Sequence, residues 1–181
     1  MTGWEERLLA TFDDLEQQAE GLALAERDAR VADLSRAEYG GVDLGARLHA
    51  AVGHEVRVGV CGVGVLQGTV RRVGTDWLLL GDDAVEWVVR VAALDRLQGL
   101  PDRAVDGTGR PVAARLGLGS VLRSIAADGA PVLVHVTSGT VLRCRVRRVG
   151  ADFVELEPDE AGADGGVTVV PWHALAAVRR G

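Results

Sequence analysis

The chain has no lysine and no asparagine, and its single isoleucine is Ile125. All 20 basic residues are therefore arginine, a composition that reads as the codon bias of a GC-rich genome. Arginine abundance here reflects mutation pressure as well as selection for the guanidinium fork. Cysteine is nearly absent too, with only Cys61 and Cys144. Two cysteines so far apart give no disulfide framework and no paired metal-ligand spacing, which suits a reducing, cytoplasmic compartment. No apolar run approaches the roughly 18 uncharged residues that a membrane helix needs, and the N-terminus is acidic rather than basic-then-apolar. The sequence thus points away from transmembrane, secreted and membrane-bound proteins.

What is present is globular: 181 residues, 48% apolar and 25% charged, enough for one ordinary domain or two very small ones. The net charge of −6 is unevenly spread. Residues 1–52 carry 11 acids against 5 arginines, whereas the other two thirds are close to neutral. A nonspecific polyanion binder would be more basic.

The acidic arm, residues 1–41, opens with Thr2 three positions before Glu5, a capping box. Leu8, Phe12, Leu15, Ala19 and Leu22 follow at spacings of four and three, predicting an amphipathic helix. The stripe covers about two heptads and then meets Glu26, too little for a freestanding coiled coil. Such a helix can pack on its own protein or recruit a protein partner. Gly40 and Gly41 end or interrupt it.

Beyond the arm the chain repeats itself. Val70-Arg71-Arg72-Val73-Gly74-Thr75-Asp76-Trp77 matches Val146-Arg147-Arg148-Val149-Gly150-Ala151-Asp152-Phe153 at an offset of 76. Gly53, Val56, Val58, Val60 and Leu66 map onto Gly129, Val132, Val134, Val136 and Leu142 with the same offset. Farther on the offset becomes 81, aligning Val88-Val89, Ala93 and Leu94 with Val169-Val170, Ala174 and Leu175. The five extra residues fall in the acidic, glycine-rich stretch 159–166. Each copy reads as a short helix, then five short strands: the valines alternate, Gly62-Val63-Gly64 marks a hairpin turn, and Gly74 and Gly150 mark tight turns. The expected fold is mainly β with α: an N-terminal helix, then two tandem five-stranded bent barrels over residues 42–100 and 112–181, joined by a linker at 101–111. Near 60 residues a lone core is marginal, so the copies should pack together.

At this point the residues resemble the Sm-like family, whose members include the archaeal and eukaryotic Sm proteins and bacterial Hfq. Val132-Leu133-Val134-His135-Val136-Thr137-Ser138-Gly139-Thr140 is similar to a first strand with its glycine turn. Gly150-Ala151-Asp152-Phe153-Val154 resembles the Hfq segment whose aromatic stacks on a base. Pro171-Trp172-His173-Ala174 falls where Hfq has Tyr-Lys-His-Ala. The layout is also similar to that of actinobacterial proteins. The resemblance implies single-stranded RNA binding, with Phe153, Trp172 and His173 in the base site, and assembly through edge strands. The first copy departs from this pattern, with Val91 and Ala92 in place of Trp172 and His173.

Arg143, Arg145 and Arg147 stand at alternate positions and share one strand face. They form a phosphate track beside Phe153 and Trp172, or, if Val149 pairs with Phe153 across the turn, they face Asp159, Glu157 and Glu155 as salt bridges. Trp77 and Phe153, equivalent after the turn aspartate, read as core or interface residues or as base platforms. Asp76 and Asp152 are expected to close the turns. His49, His54, His135 and His173 are scattered, with no metal-ligand spacing, and no serine or cysteine has an activating context. The expectation is a non-catalytic binding module without metal or cofactor, binding single-stranded RNA. The alternative is a protein-interaction or assembly scaffold, with a homo-oligomer built through barrel edges and a protein partner on the acidic helix.

Overall fold

A computed structural model describes residues 39–81, 85–105, 115–159 and 166–180, and in the arm Gly3, Glu20, Gly21, Glu26, Arg27, Arg30, Asp33 and Arg36. The chain divides into two compact units, Met1–Val42 and Asp43–Gly181. In the first, the described residues as far as Tyr39 are helical, and Gly40 and Gly41 form a turn. The amphipathic stripe from Leu8 to Leu22 lies outside the described residues.

The second unit is mainly β. Helix α1 (Leu44–Ala50) precedes strands β1 (Glu55–Val60), β2 (Gly64–Val73), β3 (Trp77–Gly81), β4 (Glu86–Arg90) and β5 (Leu94–Gln98). Helix α2 (Leu118–Asp128) precedes β6 (Val132–Val136), β7 (Val141–Val149), β8 (Phe153–Pro158), β9 (Thr168–Pro171) and β10 (Leu175–Arg180). The alternating valines pack inward, as Val56, Val58, Val132 and Val134 are all buried. Asp43 caps α1 by accepting from the Ala46 amide, and α2 ends at Gly129, whose φ of +66° few other residues adopt.

The ten strands form one antiparallel sheet in the order β5-β1-β2-β3-β4-β10-β6-β7-β8-β9. Each repeat supplies five of them, and the seam between repeats is the β4–β10 pair, with Val89 opposite Ala177, Val88 opposite Val178, Trp87 opposite Arg179 and Glu86 opposite Arg180. The pairing repeats as faithfully as the sequence. Arg57–Gln98 and Val58–Leu97 in the first copy correspond to Leu133–Arg179 and Val134–Val178 in the second.

The two apolar cores interlock across the seam. The first, around Leu48, Val58, Val70, Leu78 and Leu80, includes Ala176 and Ala177 of β10. The second, around Leu122, Val134, Val146 and Leu156, includes Trp77 and Val88 of the first repeat. Each repeat therefore completes its core with side chains from the other, which compensates for the small apolar area that some 60 residues can bury alone.

Candidate functional site

The hairpin β7–β8 decides the standing of the arginine stripe. Arg145 pairs with Glu157 and Val146 with Leu156 across the strands, but Arg148, not Arg147, is opposite Glu155, and Val149 is opposite Val154. A β-bulge at Arg147 shifts the register by one residue, so the expected pairing of Val149 with Phe153 is corrected. The ion pairs also differ from one carboxylate per arginine. Arg143 Nε and an Arg145 amino nitrogen both reach Asp159, at 3.0 and 2.8 Å, while Arg147 and Arg148 each stand 4.0 Å from Glu155. Arg145 also donates to the Gly129 carbonyl. The Asp159 side chain is only 11% exposed, so both arginines are drawn onto a largely buried charge and held along the strand.

The aromatic candidates gather at the adjoining turn. Phe153, half-buried, pairs with Pro171 of β9, and its ring lies over Gly150, where a Cβ would stand 2.6 Å from the ring edge. Trp172 is half-buried in the one-turn helix Trp172–Ala174, its indole N–H donating to the Ala151 carbonyl at 2.6 Å. His173 beside it is exposed. Phe153, Trp172 and His173 thus share one rim, while Arg143 and Arg145 lie farther along β7.

In the first copy the equivalent aromatic residue is buried. Trp77 is 5% exposed, with its indole N–H on the Leu116 carbonyl at 2.8 Å, and the Asp76 carboxylate accepts from the Leu118 amide at 2.8 Å. Asp76 therefore caps the start of α2, a role that corrects the expected local turn closure.

The histidines do not converge, and no group of three or more metal-ligating side chains occurs among the described residues. Burial pushes the Cys144 thiol up to about 11, which keeps it protonated. None of the described helices is long and apolar enough to cross a membrane.

The strand edges were less legible as a site. Val88 and Val169 are equivalent in the repeat, yet Val88 is 7% exposed and Val169 is 56% exposed. The difference has a local cause: Val88 pairs with β10 and lies in one core with Ile125 of α2, whereas β9 has only β8 beside it among the described residues. At the opposite end of the sheet β5 pairs, among the described residues, only with β1, and its Arg96 and Leu97 are less buried than Ala177 and Val178, their equivalents on β10.

No family model, curated protein or solved structure matches the chain.

Proposed function

We propose that the chain is a non-catalytic assembly module of two Sm-like barrels, in which β9 of one copy pairs with β5 of the next and repeats the internal seam between copies. The observation that carries this reading is the contrast between Val88 and Val169. One sequence pattern is used twice, once covered and once open: Val169 of β9 and Val167 just before it are exposed, on a strand that has only β8 beside it among the described residues. Such edges invite further strand pairing.

The internal seam supplies the register. Moving the β4–β10 pairing along the repeat puts Val170 opposite Arg96, Val169 opposite Leu97 and Thr168 opposite Gln98 of the neighbouring chain. Helix α1 of that neighbour then takes the place that α2 holds at the seam, with His49 at the position equivalent to Ile125, which shares a core with Val88. The contact is heterologous, head to tail, and so closes into a ring or continues as a filament.

Light scattering over a concentration series tests this. The expected result is a mass that is a multiple of 19.1 kDa and falls toward one copy in Val169→Arg, which buries a charge in the new seam. A wild-type chain that stays monomeric at high concentration overturns it.

Single-stranded RNA is the second reading, favoured by the exposed His173 beside the half-buried Phe153 and Trp172. It ranks second because the arginines of the expected phosphate track are paired with Asp159 and Glu155.

A further inference from the structure

The repeat carries an arginine doublet twice, Arg71-Arg72 and Arg147-Arg148, and both times a β-bulge falls on its first member. On a regular strand, adjacent side chains point to opposite faces. The bulge turns both outward: in β2, Arg71 and Arg72 are exposed between the buried Val70 and Val73. The two copies differ in what lies across the strand. Glu155 is opposite the second doublet, and in the first copy the corresponding residue is Leu79.

A cavity of about 540 Å3 opens at this point, between α2 and the strands of the first repeat. Its apolar wall is formed by Trp77, Leu79, Val88, Val121, Ile125 and Val178. Arg71, Arg72 and Arg180 are in the lining, and Glu86 is the one acidic residue there among the described residues. His49, Ser120 and Ser124 add polar groups. Arg180 is held by Asp128 at 2.6 Å, whereas Arg72 makes no ion pair among the described residues. The volume is that of a small-molecule pocket, and an apolar wall with a cationic mouth matches a ligand with an apolar body and one anionic head.

We propose that this cavity binds a small amphiphilic anion, with its aliphatic or aromatic body against Trp77, Leu79 and Val121 and its carboxylate on Arg72. Replacing Leu79 by glutamate would restore the arrangement of the second repeat, with an internal carboxylate occupying the doublet. No residue of β5 or β9, the strands of the proposed contact between copies, lines the cavity.

Calorimetric titration of the full chain with decanoate, below its micelle concentration, tests the site against decanol and decyltrimethylammonium. Saturable one-to-one binding of decanoate is expected, with decanol weaker by about tenfold and the cation not bound. Arg72→Gln, an exposed position that leaves the fold intact, should weaken decanoate about fivefold or more while leaving decanol unchanged. Leu79→Glu should weaken decanoate by about tenfold or more. Absence of saturable decanoate binding, equal binding of decanoate and decanol, or an unchanged affinity in Arg72→Gln each overturns the proposal.

Discussion

Trp87 of the first repeat and His135 of the second meet across the seam, their ring centroids 5.0 Å apart and their planes inclined by 52°. Arg179 of β10, the strand between them, holds its guanidinium 5.8 Å from the Trp87 centroid. Burial, and then the charge of Arg179, hold the His135 imidazole below its ordinary value of 6.5, and its Nε2 atom is buried with no hydrogen-bond partner among the described residues. The neutral ring is thus part of the apolar packing of the seam.

This arrangement makes stability depend on pH in a definite direction. A histidine depressed in the folded state contributes fully above the unfolded value near 6.5, and the contribution is lost as pH falls through the lower folded value. The urea midpoint should therefore fall between about pH 7.5 and 5.5, above the range in which carboxylates titrate. His135→Phe, which keeps a ring against Trp87 and cannot be protonated, should flatten that fall. Equal pH profiles for the two proteins would show that His135 does not govern the seam.

Val88→Ala and Val169→Ala remove the same atoms from equivalent positions. The first should cost about 1–3 kcal/mol of unfolding free energy, since a cavity opens beside α2, and the second less than about 0.5 kcal/mol in a dilute monomer. Denaturant unfolding at low concentration measures both. Equal losses would mean that β9 is covered within its own chain.

Asp76→Ala removes the acceptor for the first amide of α2 and should destabilise the chain by about 1 kcal/mol. Asp76→Asn, with its side-chain oxygen retained, should recover most of that loss in the same urea titration. A neutral Asp76→Ala would place the anchoring of α2 in its apolar contacts alone.

Much of this organisation was legible in the sequence. The repeat, both offsets, the valine faces and the hairpin at Gly62-Val63-Gly64 follow from local spacing. The bulges at Arg71 and Arg147 leave only a faint mark there, a Val-Arg-Arg-Val run in which Val70 and Val73 are both buried at a spacing of three, so the alternation slips by one residue. Regular alternation without the bulge pairs Val149 with Phe153, whereas the bulge sets Val149 opposite Val154. The roles of Trp77 and Asp76 were hidden for another reason: their partners, Leu116 and Leu118, are about 40 residues away and reach them only through the seam. The ion pairs of the stripe were anticipated in kind, but the gathering of two arginines on Asp159 depends on side-chain reach.

Those pairs give a prediction for RNA. Anisotropy with short uridine-rich and adenine-rich strands should show weak binding by the wild-type chain at low salt. Asp159→Asn should strengthen it by releasing Arg143 and Arg145 toward phosphate, and should steepen the salt dependence. The fold should lose about 1–3 kcal/mol, because the largely buried Asp159 carboxylate gives up its charge-assisted hydrogen bonds to two arginines. Tight wild-type binding that is abolished by Phe153→Ala with His173→Ala would instead raise RNA to the first reading.

The head-to-tail seam is tested most directly by a disulfide between chains. With Cys61 replaced by serine, Leu97→Cys and Val169→Cys are introduced together, a pair that the transferred register places directly opposite on neighbouring strands, within disulfide reach. Mild oxidation should give a ladder of covalent multimers or a closed covalent ring, while either single variant gives dimers at most. A double variant that oxidises no faster than the single ones would contradict the pairing of β9 with β5.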